Sequence, residues 1–202
     1  MLHRPKTQTS LPTALLAMIL VIGGCSSASS DKIALIGDSI TQLSDEQLHQ
    51  ALDGDYEVQI MGKFGARSDE VIKEVQLIAA SKPSQVIINI GTNDATQQEN
   101  PDTSQQVIQE IVDLFADADC ITLISINEAI TADGQPRTAE AQALNQRLTA
   151  IADAAENTSY LEWNEVIADN GGASAMTFDT VHLSPAGQTV MGETYLKALD
   201  GC

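Results

Sequence analysis

Three short segments of the chain, residues 33–36, 86–90 and 121–126, are apolar at nearly every position. A strand with one solvated face alternates apolar and polar residues, whereas a strand covered on both faces is apolar almost throughout. These segments therefore predict buried strands of a parallel sheet. Weaker runs at 58–61 and 159–161 predict two further strands, the second at an edge of the sheet.

Helix-like segments separate these runs, and each is long enough for a crossover helix: 41–52, 68–80, 103–116, 138–156 and 184–199. Thr103 with Gln106 fits a capping box, and Ser184 with Pro185 fits a cap followed by proline at the first helical position. Strands and helices alternate. This order predicts a three-layer α/β/α sandwich around a central, mostly parallel, five-stranded sheet.

The composition restricts the partners of such a domain. The chain has 202 residues, enough for one domain with a sizeable core. Its 10 basic and 28 acidic residues give a net charge of -18, which repels nucleic acid and anionic membrane surfaces. Aromatic residues make up only 3%, which argues against a stacking platform for single-stranded nucleic acid or a deep aromatic sugar cleft.

The first residues have the features of a signal peptide. Three basic residues, His3, Arg4 and Lys6, precede an apolar run at 14–22, and Gly23, Gly24 and Cys25 follow it. The run has 9 residues, too few for a membrane-spanning helix, which needs about 20.

Residues 22–25 resemble the lipobox of bacterial lipoproteins, in which the cysteine becomes the lipidated first residue; Ile22 stands where leucine is usual. The resemblance implies a signal peptide at 1–24, a lipidated Cys25 with a linker at 25–31, and a mature domain at 32–202. The protein would then be an exported, membrane-anchored lipoprotein of the bacterial cell envelope, facing the periplasm or in the outer membrane. An ordinary cleaved signal peptide is the alternative.

Two cysteines remain if Cys25 is lipidated, namely Cys120 and Cys202. In an oxidising compartment this even pair predicts a possible disulfide. The alternative is that Cys120, which precedes an apolar run, is simply buried.

The residues that follow the apolar runs are candidates for chemistry, because ligands bind beyond the carboxyl ends of parallel strands. Ser39 follows the first strand, where Gly37 permits a sharp turn into a helix. A hydroxyl at this position can attack an acyl group while its own N–H helps to hold the oxyanion.

His182 is the candidate base by elimination, because His3 leaves with the signal peptide and His49 lies on a polar helix segment. Asp179 precedes His182 by three residues, a spacing that lets its carboxylate orient the imidazole. Neither the serine nor the histidine motif is specific alone.

Four motifs together resemble the SGNH branch of the GDSL esterases and lipases, whose fold is flavodoxin-like. They are Gly-Asp-Ser at 37–39, a glycine after the second strand, Gly-Thr-Asn-Asp at 91–94 and Asp-x-x-His at 179–182, and they occur in the family's order from residue 33 to residue 199. The resemblance implies that Ser39 is the nucleophile, that its amide, Gly65 and Asn93 form the oxyanion hole, and that His182 is the base.

Other positions near these motifs have alternative explanations. Gly62 is the rival of Gly65 for the oxyanion hole, and Asp38 and Asp94 are expected to brace loops. Ile40 departs from the leucine of the family pattern. No metal and no cofactor are expected.

The expected activity is hydrolysis of carboxylic esters in a small-molecule, glycan or lipid substrate. Short predicted loops at the strand ends favour short, acetyl-type acyl groups. Lysophospholipase or thioesterase activity and O-acyl transfer are alternatives on the same residues. A non-catalytic envelope lipoprotein is a third hypothesis, which the presence of Ser39, Asn93 and His182 disfavours.

Overall fold

The computed structural model describes residue 1 and residues 31–202. The strands are β1 (Asp31–Gly37), β2 (Tyr56–Gly62), β3 (Gln85–Asn89), β4 (Cys120–Ile124), β5 (Thr131–Ala132), β6 (Gln135–Pro136) and β7 (Thr158–Leu161). The helices are α1 (Ser39–Leu43), α2 (Asp45–Leu52), α3 (Ile72–Ala79), α4 (Thr92–Thr96), α5 (Pro101–Asp113), α6 (Thr138–Asp153), α7 (Trp163–Asp169), α8 (Ala173–Met176) and α9 (Pro185–Asp200).

The main sheet has five strands in the order β2-β1-β3-β4-β7. Every pairing in it is parallel, and β7 lies at an edge as predicted. Gly37, the last residue of β1, lies opposite Gly62 of β2 and Asn89 of β3. The carboxyl ends of these three strands therefore meet at one edge of the sheet.

Both faces of the sheet are covered by helices, which confirms the three-layer sandwich. Along β1, Ala34 and Ile36 belong to one buried cluster, and Ile33 and Leu35 belong to the other. The first cluster includes side chains of α3, α5 and α6, and the second includes side chains of α2, α7 and α9. The apolar runs have no polar face because each of these strands packs on both sides.

Two predicted helices are divided in the structure. The segment 41–52 forms α1 and α2, separated at Ser44, whose hydroxyl donates to the carbonyl of Ile40 at 2.8 Å. Such a bond competes with the regular helical pattern. The segment 68–80 forms a 3₁₀ turn at Ser68–Glu70 followed by α3.

The helix caps differ in how well the sequence predicted them. The capping box at Thr103 and Gln106 is wrong, because α5 begins at Pro101 and Asn100 caps it by accepting from the amide of Asp102 at 2.9 Å. Proline suits the first helical position, so the helix starts earlier. The Ser184 cap of α9 is confirmed; its hydroxyl accepts from the amide of Gly187 at 3.2 Å.

A disulfide joins Cys120, at the start of β4, to Cys202, which follows α9; their Cα atoms are 5.9 Å apart. The predicted signal peptide beyond residue 1, Cys25 and the linker up to residue 30 lie outside the described residues. Within 31–202, no helix has the length and apolar character needed to cross a membrane.

Candidate active site

Ser39 lies where β1 passes into α1, at the carboxyl edge of the sheet, and it is 3% exposed. The turn is tight because Gly37 is packed against Thr41 of the helix and against the carbonyl of Asn89. A side chain at position 37 would collide with both. Glycine at position 37 therefore lets the end of β1 lie close to α1 and β3, which places the hydroxyl of Ser39 at the start of α1.

A continuous chain of hydrogen bonds links Ser39, His182 and Asp179. The Oγ atom of Ser39 lies 2.9 Å from Nε2 of His182, and Nδ1 of the same ring lies 2.6 Å from Oδ2 of Asp179. Nδ1–H donates a hydrogen bond to the carboxylate, which leaves Nε2 free to accept one from the hydroxyl. Residues 143 positions apart are thus brought together.

Asp179 is held in place by the backbone as well as by the ring. Its Oδ1 atom accepts from the amides of Val181 at 3.0 Å and His182 at 2.6 Å. Partial burial alone would raise the pKa of Asp179, but the hydrogen bonds from the His182 ring and the two amides outweigh it and lower the pKa. Asp179 is therefore ionised at neutral pH, as an orienting carboxylate needs to be.

Asn93 lies beside the loop that follows β2. Its Nδ2 atom donates to the carbonyl of Ala66 at 3.0 Å and to Oδ2 of Asp38 at 3.4 Å. Gly65 directly precedes Ala66 and has a φ of +70°, with open space where a side chain would be. The structure therefore brings Asn93 to the Gly65 loop and to the residue before Ser39.

Gly62, the rival of Gly65, has a different environment. A side chain on Gly62 would collide with the backbone of Gln42 in α1. Gly62 therefore serves the packing of β2 against α1. Gly65 is exposed and is available to a ligand.

Asp38 and Asp94 are both buried and both bond to loops. Oδ1 of Asp38 accepts from the amide of Ile40 at 2.9 Å, and Asp94 accepts from the amide and hydroxyl of Ser68 at 2.9 and 2.6 Å. Burial raises the pKa of Asp38 to about 7, although the Ile40 amide and the nearby His182 act in the opposite direction.

The loop that carries His182 has contacts that the sequence did not suggest. Thr180 has a φ of +70°, which is unusual for a β-branched residue. Nδ2 of Asn127 donates to the carbonyl of Thr180 at 3.0 Å, and the amide of Thr131 donates to its hydroxyl at 3.1 Å. Asn127 follows β4, so the expectation that polar residues after strands line the site also applies to it.

Two phenylalanines were also missed. The rings of Phe64 and Phe178 stack on the ring of His182, with centroids 5.6 and 5.7 Å away. Phe178 is adjacent to Asp179 in sequence, and Phe64 is adjacent to Gly65, but no pattern in the chain distinguishes them from core residues.

Within residues 31–202, no group of three or more histidine, cysteine, aspartate or glutamate side chains is arranged to hold a metal ion.

A parallel sheet covered by helices, with a serine, a histidine and an aspartate hydrogen-bonded at its carboxyl edge, defines an α/β protein of the serine hydrolase type. Residues 35–190 match the model of the GDSL-like lipase/acylhydrolase family. The chain belongs to this family of acylhydrolases, as the four motifs predicted.

Several solved structures share this fold. A lipase/acylhydrolase from Enterococcus faecalis has a TM-score of 0.73 at 19% identity, over 85% of this chain and 96% of that one. An acetylxylan esterase from Geobacillus stearothermophilus, solved as a catalytic mutant, has a TM-score of 0.67 at 17% identity, over 84% and 94%. The catalytic domain of a peptidoglycan O-acetyltransferase from Streptococcus pneumoniae has a TM-score of 0.66 at 22% identity, over 85% and 94%. No curated protein matches the sequence significantly.

Proposed function

We propose that the protein hydrolyses carboxylic esters through an acyl-Ser39 intermediate. The observation that carries this proposal is the pair of short contacts from Ser39 to His182 and from His182 to Asp179. Each member has the environment that its role requires: the hydroxyl faces a free imidazole nitrogen, and the imidazole is oriented by an ionised carboxylate.

In the first half of the reaction, Oγ of Ser39 bonds to the ester carbonyl carbon while its proton passes to Nε2 of His182. Asp179 stabilises the resulting imidazolium. The bond to the alcohol then breaks, and the leaving oxygen takes the proton from Nε2. In the second half, His182 takes a proton from water, the hydroxide attacks the acyl carbon, and the carboxylic acid leaves while Ser39 recovers its proton.

The negative charge on the carbonyl oxygen needs donors that are already in place. The amides of Ser39 and Gly65 and the side chain of Asn93 would supply them. Asn93 makes one short bond, to Ala66, and one long contact, to Asp38. The oxyanion would replace the 3.4 Å contact to Asp38, which is the weaker of the two.

The most direct test is labelling with a fluorophosphonate followed by peptide mass mapping. We expect the label on Ser39 and nowhere else. The Ser39→Ala variant should lose the label and the esterase activity while keeping its melting temperature, because among the described residues the hydroxyl bonds only to His182. An unlabelled Ser39 in folded protein would favour the non-catalytic lipoprotein hypothesis.

Short acyl groups are the substrates that the comparisons support. One neighbour in structure is an acetylxylan esterase and another transfers acetyl groups to peptidoglycan. The connection between α4 and α5, at 97–100, adds no lid-sized insertion beside the site. We therefore expect faster hydrolysis of acetyl esters than of butyryl or palmitoyl esters, measured as kcat/KM with the same alcohol.

Acyl transfer on the same residues would replace water with a sugar hydroxyl in the second half-reaction. The acetyltransferase neighbour makes this the second candidate. Product analysis with and without an acceptor alcohol separates the two: a new acetyl sugar indicates transfer, and free acetate alone indicates hydrolysis. The same assay with thioester and lysophospholipid substrates tests the remaining alternatives.

We further propose that the enzyme is exported and anchored by a lipid on Cys25. The support is the basic start, the short apolar run and the lipobox-like residues 22–25. Cys25→Ser should move the protein from the membrane fraction to the soluble fraction of the expressing bacterium. A wild-type protein that is soluble, with an unmodified Cys25 by intact mass, would contradict the anchor.

A further inference from the structure

Phe64 and Phe178 are exposed at the site by 66% and 67%, whereas the third phenylalanine, Phe115, is buried. Both exposed rings lie nearly parallel to the imidazole of His182, with angles of 11° and 18° between the planes. Single exposed apolar side chains are common, whereas two phenyl rings exposed at one site form an apolar patch of the kind that binds ligands. Two such rings on one imidazole indicate a binding surface.

The backbone on which each ring stands is held in place. Next to Phe64, the amide of Lys63 donates to the carbonyl of Gly37 at 3.2 Å, and Lys63 Nζ donates to the carbonyl of Glu70 at 2.7 Å. The amide of Phe178 donates to the carbonyl of His182 at 3.0 Å. A ligand that packs on these rings therefore meets a surface whose backbone is already ordered, which lowers the entropic cost of binding.

The proposed function, on which this inference rests, indicates whether the rings contact the alcohol or the acyl group of the ester. His182 takes the proton from Ser39 and then gives it to the leaving alcohol, so the alcohol oxygen must come within hydrogen-bonding distance of Nε2. The acyl group lies on the other side, towards the oxyanion donors. Rings in contact with the imidazole therefore border the alcohol.

The charge of the surroundings favours a neutral alcohol. The net charge of the chain is -18, and Asp179, which is ionised at neutral pH, lies beside the histidine. The basic residues nearest to Phe64 in sequence are already paired, Lys63 with Glu74 at 3.0 Å and Arg67 with Asp69 at 3.1 Å. An anionic head group would therefore be repelled, because these two cations are already engaged by carboxylates.

We propose that Phe64 and Phe178 bind the alcohol portion of the substrate, and that this portion is a neutral pyranose ring. A pyranose presents a face of C–H groups that packs on a phenyl ring, while its hydroxyls remain in water. Both rings are largely exposed beside His182, so a pyranose can reach them from solvent, and a chain with few aromatic residues can supply two such rings.

The test holds the acyl group constant and varies the alcohol. Phe64→Ala and Phe178→Ala are compared with wild type on a monoacetylated methyl xylopyranoside and on ethyl acetate. We expect each variant to lower kcat/KM on the pyranoside roughly tenfold to a hundredfold more than on ethyl acetate, because only the pyranoside has a sugar ring to pack on the phenyl rings. Leu77→Ala removes an exposed apolar side chain from α3 and should change neither rate.

Equal losses on both esters, or a loss that appears only when the acyl chain is lengthened, would overturn the proposal. Binding separates it from the proposed function. In the Ser39→Ala background, ligand-observed NMR should detect methyl xylopyranoside, and the phenylalanine variants should abolish the signal. If wild type hydrolyses no ester, the proposed function fails; if hydrolysis occurs but the phenylalanine variants bind the sugar normally, only the alcohol-site proposal fails.

Discussion

At the scale of single residues, Asp38 is the side chain with the most unusual environment. It precedes Ser39 directly, it has no exposed surface, and it contacts Asn93. Its pKa is raised to about 7 from 3.8, mainly by burial. The same carboxylate that shapes the turn before Ser39 therefore opposes folding when it ionises, because a buried charge loses its hydration.

Asp38→Asn should change how stability depends on pH. The pKa is higher in the folded protein than in the unfolded chain, so the folded state binds the proton more tightly and stability falls as pH rises from about 4 to about 7. This group accounts for a loss of about 4 kcal/mol at most. Urea denaturation across this range should show a flatter profile for Asp38→Asn.

The matched control is Asp117→Asn, which changes an exposed aspartate. It should keep the wild-type slope of stability against pH. Activity is not the readout, since an amide at position 38 faces the amide of Asn93 and disturbs the oxyanion side of the site. If Asp38→Asn and Asp117→Asn have the same slope, Asp38 does not titrate in this range.

At the scale of elements, the loop between α8 and α9 carries both Asp179 and His182. Thr180 lies between them at a φ of +70°, and such a conformation persists only where the surroundings impose it. Asn127, which follows β4, and Thr131 of β5 supply the bonds that do so. The hairpin of β5 and β6 therefore supports the loop that carries His182.

Thr180→Val should lower kcat while leaving KM nearly unchanged. Valine keeps the shape of the side chain but loses both contacts of the hydroxyl with Thr131, at 3.1 and 2.9 Å. The imidazole is then less well oriented, and a displacement of the order of 1 Å costs up to about a hundredfold in rate. Steady-state kinetics on an acetyl ester measures the effect.

Thr180→Ser is the matched control, because it keeps the hydroxyl and removes only a methyl group. It should retain most of the activity. Equal kcat values for the valine and serine variants, in protein of equal melting temperature, would show that the Thr131 bonds do not position His182.

At the scale of the whole molecule, the carboxyl and amino edges of the sheet carry different features. Ser39, Asn93 and the loops that meet them lie at the carboxyl edge. The amino edge carries Cys120, the first residue of β4, and Asp31, the first residue of β1, to which the proposed lipid anchor leads. Asp31 and the site beside Gly37 therefore lie at opposite ends of β1, roughly 20 Å apart.

Removal of the disulfide should lower stability without abolishing activity. The Cys120–Cys202 bond closes a loop with a sequence separation of 82, and such bonds typically stabilise a fold by about 2–5 kcal/mol, mainly by restricting the unfolded chain. The double variant Cys120→Ser, Cys202→Ser should show this loss in urea denaturation. Its kcat/KM at 25 °C should stay within about twofold of wild type, because the bond lies at the amino edge.

Wild-type protein treated with a reductant is the control for the two serine substitutions, because it lacks the disulfide but keeps both cysteines. Reduced wild type and the double variant should have the same melting temperature. A variant as stable as the oxidised wild type would mean that the disulfide does not contribute to stability.

The sequence alone determined the order of strands and helices, the five-stranded parallel sheet and the motifs at 37–39, 91–94 and 179–182. The physical reason is local: a strand buried on both faces must be apolar throughout, and a sharp turn into a helix needs glycine. The start of α5 was predicted wrongly because two patterns compete there. Both Pro101 and the capping-box pattern at Thr103 are typical of a first helical turn.

Only the tertiary structure decided how the motifs meet. Asp38 lies next to Ser39 in sequence, but its burial and its contact with Asn93 depend on β1 and β3 being neighbours. Phe64 and Phe178 carry no motif, and their relation to His182 appears only when loops from different parts of the chain converge. Distances between such loops depend on the packing of the whole sheet, which no local pattern of residues encodes.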